Sequence, residues 1–384
     1  NSLIANSLGS NNKVAGSIYS YHSIIYAFFL SIFIMLIGTF FSYDILKFMG
    51  STQESIALSK EYTDIIFLGT IIFLLLTSFN SVLYAQGDTK TYRNVLIVGV
   101  IFNIILNPIF IFGLFFIPAF GVAGLAISTI FIQLIACIYL YFKVNQTELK
   151  IIFKISNFLI RKNFLINVFN QCMPITMALF LVAAGSYILL SFLSIFGDRA
   201  IAGYGAAVRF EHLFSLPVIG LNTAVISIAG QNFGAKRFDR IKEVYFKAVF
   251  IGMIIMCLAG IIIYLLSESI ISIFSNDFEV IKFGSTYLKI AAFMGPIYPV
   301  FFISHALFTA LKKTFLIFYS NLFRMIIFPI TIVWFILNIM DGYFNDIFYG
   351  LLLMNWTFGF IMLAIARGVM IKTFNEDKKV FFIF

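Results

Sequence analysis

The most constraining feature of this sequence is a series of ten long apolar stretches, each about as long as a helix that crosses a membrane. They lie at 18–40, 62–84, 94–117, 121–142, 171–196, 201–229, 246–266, 287–311, 316–338 and 347–370. A bilayer core about 30 Å thick needs roughly 20 mostly apolar residues in a helix that spans it. The stretches are continuous and do not alternate in polarity, so they differ from the strands of a membrane barrel. The sequence therefore predicts an all-α, polytopic membrane protein with ten visible spans.

The composition excludes most soluble classes of protein. Of 384 residues, 61% are hydrophobic and 11% are charged, whereas soluble domains contain about 45–50% apolar and about 25% charged residues. Cys137, Cys172 and Cys257 lie far apart, inside or beside apolar runs. This spacing predicts small buried thiols rather than a metal site or a disulfide framework.

The charged residues predict how the chain is oriented. The net charge is +9, from 26 Lys and Arg against 17 Asp and Glu, and the basic residues concentrate in every second loop and in the C-terminal tail. Loops rich in Lys and Arg stay in the cytoplasm. We therefore expect a protein of the plasma (inner) membrane with a cytoplasmic C-terminus, and no binding of nucleic acid.

An internal repeat is visible at a single offset. The segment SLIANSLGSNN at 2–12 resembles SIAGQNFGAKR at 227–237, which pairs Gly9 with Gly234, 225 positions later (234 minus 9). The same offset pairs Ser42 with Ser267, Ile45 with Ile270, Tyr62 with Tyr287, Ala85 with Ala310 and Thr89 with Thr314. Both glycine loops fall on the cytoplasmic side, so the sequence predicts parallel repeats.

The repeat also predicts the domain organisation. Two spans precede the Gly234 loop, and none precedes the loop at Gly9. We therefore expect two helices to be missing before residue 1, in a protein of two six-helix bundles related by a pseudo-two-fold axis along the membrane normal. The predicted boundaries are an incomplete N-terminal lobe at 1–142, a cytoplasmic linker at 143–170 and a C-terminal lobe at 171–384.

Ionisable residues inside a span are costly and usually functional, and the span 201–229 contains Arg209, Glu211 and His212. Residues two apart do not face each other on a helix, so at least one of these groups needs a partner on another helix or a wet cavity. Glu211 is the candidate site for a coupling ion, H+ or Na+, with Arg209 as its charge partner. The alternative is a buried interhelical ion pair that only fixes packing.

Two amides form a second candidate site in the span 94–117. Asn103 and Asn107 are four residues apart and share one helix face, and Pro108 frees a backbone carbonyl one turn earlier. These oxygens suit a hard cation or a polar substrate group. The alternative is hydrogen bonding between helices, worth about 0.6 kcal/mol on average.

Two glycine-containing segments close spans on the cytoplasmic side. Gln86, Gly87 and Asp88 end one span, because Gly87 can stop a helix and Asp88 can cap the next. Gly234 has the same place in the second half. Ordinary helix termination is the alternative interpretation.

Four segments together resemble the multidrug and toxic compound extrusion (MATE) family. They are AQGDTK at 85–90, NIILNP at 103–108, GVAGLAIST at 121–129 and RFEHLFSLPVIGLNTAVISIAGQNFGAKR at 209–237. The resemblance implies a twelve-helix, two-lobed antiporter that exports cationic or amphipathic organic compounds. An inward gradient of Na+ or H+ would drive it, and its lobes would rock about a central cavity.

The resemblance also places residues of a cation site. Asn103 matches a family Asn, Asn107 stands where an Asp is frequent, and Thr129 matches a family Thr; Val182 stands where some members carry a Glu. Because familiar carboxylates are missing, Glu211 is the main acidic candidate. We expect no cofactor, no metal other than a coupling Na+, and a monomer that contacts membrane lipid and small organic cations or amphipathic drugs.

Two other functions make different demands on the sequence. A lipid-linked oligosaccharide flippase of the same wider superfamily would display a more cationic cavity, whereas Arg209 is the deepest basic residue here and Arg324 lies nearer a cytoplasmic helix end. An enzyme is not expected, because the three histidines form no cluster with a nucleophile or with metal ligands.

Overall fold

The computed structural model describes residues 1–48, 52–114, 117–149 and 162–381, and every regular element in these ranges is helical. The helices are α1 Ser2–Gly9, α2 Lys13–Phe48, α3 Gln53–Leu68, α4 Thr70–Ala85, α5 Lys90–Phe112, α6 Val122–Asn145, α7 Lys162–Leu193, α8 Asp198–Gly234, α9 Phe238–Ser272, α10 Phe278–Met294, α11 Tyr298–Ala310, α12 Phe315–Asn321, α13 Phe328–Asn338 and α14 Phe344–Phe381. Short 3-10 turns follow α7 and α10, and a π-helical turn, Leu322–Ile327, joins α12 to α13.

Nine helical runs in the described residues are long and apolar enough to cross a membrane, and the α3–α4 pair, bent by 46°, makes up to ten. Large apolar side chains cover their outer faces, and Phe40, Ile104 and Phe112 are 77%, 70% and 76% exposed. Such surfaces suit lipid contact rather than water. The prediction of an all-α protein with many membrane spans is confirmed.

The chain divides into two compact units. The N-terminal unit is Asn1 with Leu3–Val168, and the C-terminal unit is Phe169–Phe384 with Ser2. Residues 150–161 of the predicted linker lie outside the described residues. On either side of them α6 continues to Asn145 and α7 begins at Lys162, so helix occupies both described ends of that segment.

The N-terminal unit packs α2 against α3 and α4, and α6 against α3, α4 and α5. Its core contains Val82, Leu83 and Leu140, all fully buried. At Gly124 of α6, an added Cβ would collide with the carbonyl group of Phe110. A small residue at this point therefore lets α5 and α6 approach closely.

The C-terminal unit packs α8 against α9, α10 and α11, while α14 lies against α10, α11 and α13. Phe301, Phe308 and Phe348 are among its largest buried side chains. Their rings belong to two apolar clusters, one around α11 and one around the α10–α14 contact. Aromatic side chains that dominate a core in this way also supply faces for a cation.

The π-helical turn packs against α7 in the C-terminal unit. Asn321, just before it, donates through Nδ2 to the Ala178 carbonyl of α7 at 3.3 Å. An added Cβ on Gly185 of α7 would collide with the Met325 carbonyl oxygen inside the turn. Because π-helical turns are rare and concentrate at functional sites, this turn directs attention to the residues that it carries.

The predicted repeat is present in the helix ends. After α1, Asn11 has φ of 57° and the Asn12 N–H donates to the Ser7 carbonyl at 2.9 Å. After α8, Lys236 also has φ of 57° and the Arg237 N–H donates to the Asn232 carbonyl at 2.8 Å. Each residue of the second cap lies 225 positions after its counterpart, so the repeat extends to the backbone conformation.

A second pair of helix ends follows the same offset. Gly87 after α4 has φ of 89°, and Lys312 after α11 has φ of 60°. The next residues close equivalent turns with backbone hydrogen bonds. The Asp88 N–H donates to the Leu83 carbonyl at 3.0 Å, and the Lys313 N–H donates to the Phe308 carbonyl at 2.7 Å. A left-handed residue after a helix is the usual stop signal, and here it recurs at matching positions of both units.

Candidate functional site

Glu211 lies on α8, half-buried, and its carboxylate meets a tyrosine rather than a cation. The Tyr287 hydroxyl of α10 donates to Glu211 Oε2 at 2.5 Å. Tyr287 is only 6% exposed, and its ring packs edge-on against Tyr204 with centroids 4.9 Å apart. A charged group among apolar side chains needs such a donor, because an uncompensated buried carboxylate is very costly.

The structure corrects the predicted pairing of Glu211 with Arg209. Arg209 is exposed, and no ion pair within 4.0 Å among the described residues includes either side chain. The physical reason is helix geometry, since residues two apart point to different sides of α8. His212 is also exposed.

Arg324 is the enclosed basic residue of this bundle, and the π-helical turn carries it. Its guanidinium carbon lies 3.9 Å from the centroid of the Phe301 ring and 5.2 Å from that of the Tyr298 ring. Its Nε donates to Asn355 Oδ1 on α14 at 3.0 Å. Aromatic faces attract a guanidinium most strongly when water is excluded. Arg324, not Arg209, is therefore the cation that other helices surround.

Tyr298 and Asn355 hold this arrangement together. Asn355 is 6% exposed and donates through Nδ2 to the Leu351 carbonyl at 2.8 Å, which leaves its oxygen for Arg324. The Tyr298 ring lies against the Arg324 guanidinium, and its hydroxyl donates to Met294 Sδ at 3.9 Å. We call Glu211, Tyr287, Tyr298, Arg324 and Asn355 the α8–α14 polar network.

A neutral pair lies next to the network. His305 Nε2 and Ser320 Oγ are 2.7 Å apart, and the Ser320 hydroxyl also donates to the Ile317 carbonyl at 3.0 Å. Since the hydroxyl has a single hydrogen, His305 Nε2 acts as the donor in this pair. That tautomer needs no positive charge on the imidazole.

The predicted amide site of the N-terminal unit is only partly formed, because its side chains bond to different partners. Asn107 crosses to α6, where its Oδ1 accepts from the Ser128 hydroxyl at 2.5 Å. Asn103 instead donates to the Gly99 carbonyl of its own helix at 3.1 Å, and Thr129 donates to the Leu125 carbonyl at 2.8 Å. Of the three predicted residues Asn103, Asn107 and Thr129, Asn107 is the one whose side-chain hydrogen bond joins two helices.

The cytoplasmic motif forms a helix end. Gln86 Nε2 donates to the Val82 carbonyl at 3.1 Å and to Thr147 Oγ1 at 3.2 Å. Gly87 supplies the left-handed residue, and Gly234 is the last residue of α8. These contacts are those of helix termination, which was the alternative interpretation.

Asp88 caps α5 directly. Its Oδ1 accepts from the Thr91 N–H at 3.0 Å and its Oδ2 from the Thr91 hydroxyl at 2.5 Å. Burial alone would raise the pKa of Asp88, but these hydrogen bonds outweigh it and hold the pKa below its ordinary value. Asp88 therefore binds the α5 N-terminus as a carboxylate.

No group of three or more His, Cys, Asp or Glu side chains in the described ranges could hold a metal ion. Cys137 is buried, Cys172 is partly buried and Cys257 is exposed. All three are free thiols, as their sequence spacing predicts, but the prediction that they are buried holds for Cys137 and is wrong for Cys257, which lies on an outer face of α9.

The sequence identified Glu211 but not its partners. The sequence identifies Arg324 only as a basic residue near a helix end, and Tyr287, Tyr298 and Asn355 carry no local motif. Two sequence signals exist: Tyr287 aligns with Tyr62 in the repeat, and Arg324 interrupts an otherwise apolar span. Neither signal indicates that Glu211 meets α10 or that Arg324 meets α11 and α14.

The fold and the site together describe a helical membrane bundle that holds ionisable side chains among apolar ones. A family model described as MatE matches residues 1–109 and 174–335, which is more than half of the chain. The chain therefore belongs to the MATE family.

Curated relatives and solved structures agree with this assignment. The probable multidrug resistance protein YoeA of Bacillus subtilis (strain 168) is 28% identical over 291 residues, 75% of this chain and 63% of that protein. The FAD transporter of Shewanella oneidensis is 23% identical over 286 residues, 74% of this chain and 63% of that protein. This chain thus spans less than two thirds of the length of either relative.

Among solved structures, the outward-facing conformation of a multidrug resistance MATE family transporter matches with a TM-score of 0.91. Its sequence is 19% identical, and the match covers 97% of this chain and 82% of that chain. At this identity the likeness establishes the fold. The relatives and this structure are named as transporters or resistance proteins rather than as enzymes.

Proposed function

We propose that the protein is a secondary active transporter that exports cationic or amphipathic organic compounds by antiport with Na+ or H+. The observation that carries the proposal is Glu211, an ionisable side chain inside the apolar span α8 that accepts a hydrogen bond from the buried Tyr287. Ionisable groups in such places mark ion pathways. Family membership supports the transport class, and two relatives of this fold are named for multidrug resistance.

The mechanism follows from what Glu211 can do. As a carboxylate it accepts from Tyr287; once it binds the coupling ion, the charge is neutralised and that hydrogen bond changes. A transporter needs such a switch between two states of one bundle, because a ligand shifts a conformational equilibrium only by its differential affinity for the two states. Rocking alternating access would convert this switch into export.

The cargo follows from the lining side chains. The chain contains 50 Phe, 12 Met and 18 Tyr, and flexible or flat apolar side chains of these types accept cargo of many shapes. Asn107 and Ser128 would add polar contacts in the N-terminal unit. We expect small organic cations and amphipathic drugs to compete with one another for one site.

The alternative, a lipid-linked oligosaccharide flippase, requires free cationic groups for pyrophosphate. Arg324 is instead engaged with Asn355 and two aromatic rings, which supports the cationic cargo. Anionic cargo remains testable, since one relative is named an FAD transporter.

The test is efflux from proteoliposomes. We expect a cationic dye to be exported when a Na+ or pH gradient is imposed, and unrelated organic cations to compete while FAD does not. Transport of FAD or of a pyrophosphate-linked lipid with no dye export would replace the proposal by an anionic-cargo function. A reporter fused to the C-terminus tests the predicted orientation, and an exported reporter would contradict it.

A further inference from the structure

A cavity lies between the α8–α9 connection and the C-terminal part of α14, on the side that the basic loops predict to be cytoplasmic. Its volume is about 480 Å³, within the range of about 300–1,000 Å³ that is usual for ligand sites. One acidic side chain, Asp239, and four basic ones contribute to its lining; the basic ones are Lys236, Arg237, Arg240 and Lys242. We call this cavity the basic pocket. Its excess of positive charge favours an anionic occupant.

One side of the basic pocket is a packed aromatic contact between α9 and α14. The Phe238 and Phe374 rings stack with their centroids 4.5 Å apart, and Phe374 is 4% exposed. Lys242 Nζ lies 5.7 Å from the centroid of the Phe374 ring and 4.0 Å from Asp239 Oδ1. The basic side chains at the start of α9 therefore project from a helix end that packing holds in place.

The connection from α8 to α9 supplies the other basic side chains of the pocket. Lys236 has φ of 57°, and the Arg237 N–H donates to the Asn232 carbonyl at 2.8 Å, so the backbone forms a closed turn. No ion pair within 4.0 Å among the described residues includes Arg237 or Arg240. Their guanidinium groups are therefore available to a ligand.

The equivalent turn of the N-terminal unit, after α1, has the same backbone conformation and different charges. The residues that match the four basic ones, 225 positions earlier, are all uncharged: Asn11, Asn12, Ala15 and Ser17. Lys13, the one basic residue in that stretch, pairs with Glu148 at 2.9 Å. The preference for positive charge in cytoplasmic loops acts on both turns, so it does not account for four basic side chains in one pocket.

An exposed apolar surface continues from the basic pocket into the span α9. Phe246 and Phe250 lie one and two turns after Lys242 on the same helix face, and they are 50% and 65% exposed. Ile371, which lines the pocket from α14, is 48% exposed. A phospholipid matches this combination, because its phosphate lies at the membrane surface and its acyl chains lie in the hydrocarbon core. A soluble anion would use only the charged part.

We propose that the basic pocket binds the phosphate headgroup of an anionic phospholipid from the adjacent leaflet. The two arginines donate to the phosphate oxygens, since a guanidinium matches phosphate geometry in a bidentate way, and the two lysines add charge. The acyl chains lie along the exposed phenylalanine face of α9. Basic pockets between membrane helices recognise lipid headgroups by this chemistry. The site requires neither Glu211 nor the proposed export, so it stands or fails separately from them.

Lipid binding is measured by native mass spectrometry of the purified full chain, titrated with phosphatidylglycerol or with phosphatidylcholine. The two lipids share their acyl chains, and only the first has a net negative charge. We expect phosphatidylglycerol to bind about tenfold more tightly or better, because each basic residue near a membrane surface strengthens the binding of anionic lipid. Equal affinity for the two lipids would overturn the proposal.

Paired charge variants assign the binding to the pocket. Arg237→Gln combined with Arg240→Gln should weaken phosphatidylglycerol binding about tenfold or more, and Lys at both positions should give an intermediate affinity. Lys90→Gln combined with Arg93→Gln is the matched control, because it removes two charges from the exposed first turn of α5. Thermal unfolding checks that each variant is folded. Unchanged affinity in the folded pocket variant, or an equal loss in the control, would contradict the proposal.

Two further measurements identify the source of the anion. Glycerol 3-phosphate carries a phosphate without acyl chains, and at the same concentration it should not displace phosphatidylglycerol; displacement would assign the pocket to a soluble phosphate compound instead. Glu376 and Asp377 follow Asn375 in the sequence. Changing both to Gln should leave the affinity near that of the wild type. Phosphatidylglycerol binding only in this variant would assign the pocket to the carboxylates of the chain's own tail.

Discussion

The two units share one backbone plan and differ in the chemistry placed on it. The first residues of α2, α3 and α5 have counterparts, 225 residues later, that begin α9, α10 and α12, and the counterpart of the first residue of α4 begins the 3-10 turn before α11. The position that matches Arg324 is Gly99, and the one that matches Asn355 is Ile130. The C-terminal unit thus carries a charged network where the N-terminal unit has small and apolar side chains.

This contrast indicates that the repeat preserves the backbone arrangement, meaning the helix ends and their connections, rather than the polar side chains. Helix ends and left-handed residues recur because they set span length and connection, and both units must satisfy the same bilayer. Polar groups inside the spans are costly, so they persist only where they act. The N-terminal unit joins α5 to α6 through Asn107 and Ser128 and carries the Lys60–Asp64 ion pair on α3, and the C-terminal unit contains Glu211 and Arg324.

The largest expected effect tests which unit binds the coupling ion. Glu211→Gln should reduce gradient-driven efflux to the level of protein-free liposomes, because the side chain can no longer change charge. Asn107→Ala should lower efflux only in part. Both are measured at matched protein density in the same vesicles. Normal export by a well-inserted Glu211→Gln protein would contradict the proposal that the coupling ion binds in the C-terminal unit.

The π-helical turn has no counterpart in α5, and its packing supplies the next prediction. Gly185→Val forces a side chain into the Met325 carbonyl, and overpacking of this kind costs about 1–3 kcal/mol. Thermal unfolding in detergent should move to lower temperature. Gly205→Val is the matched control, since no atom lies within 4 Å of an added Cβ there. If both variants lower the unfolding temperature equally, close packing of the π-helical turn against α7 does not contribute to stability.

A smaller effect is expected where the N-terminal unit joins α5 to α6. Ser128→Ala removes the donor to Asn107 Oδ1, and hydrogen bonds between membrane helices are worth about 0.6 kcal/mol on average. Thr129→Val is the neighbouring control, because Thr129 bonds only the Leu125 carbonyl of its own helix. The two variants are compared by thermal unfolding. A greater loss of thermal stability in Thr129→Val than in Ser128→Ala would show that the hydrogen bond of Thr129 contributes more than that of Ser128.

The smallest effect concerns a cap that the repeat does not copy. Asp88 caps α5, whereas Lys313 holds the matching position before α12 and cannot accept a hydrogen bond. Asp88→Asn should cost about 0.5–1 kcal/mol at neutral pH.

Acid should remove the same contribution from the wild type. The pKa of Asp88 is lowered in the folded protein, so its contribution is complete above the unfolded value of about 3.9 and is lost as pH falls through the folded pKa. Thermal unfolding of the wild type and Asp88→Asn should therefore converge at low pH. A constant difference between them would show that ionisation of Asp88 contributes nothing.

Much of the fold and part of the site could be predicted from the sequence. The spans, the repeat at 225 and the free thiols follow from composition and spacing, because a bilayer permits few backbone arrangements. Glu211 was found because one carboxylate in an apolar run is conspicuous. Its pairing with Arg209 was wrong, since sequence proximity does not bring two side chains together on a helix.

By itself the sequence determined that the chain lies in a membrane, where its helices begin and end, and that its two halves repeat. These properties depend on residues that are near one another in the chain. The tertiary structure alone decided that Arg324, Tyr298 and Asn355 belong with Glu211. The contact of Glu211 with Tyr287 joins residues 76 apart in sequence and that of Arg324 with Asn355 joins residues 31 apart, and interhelical packing, unlike a helix end, leaves no local pattern in the chain.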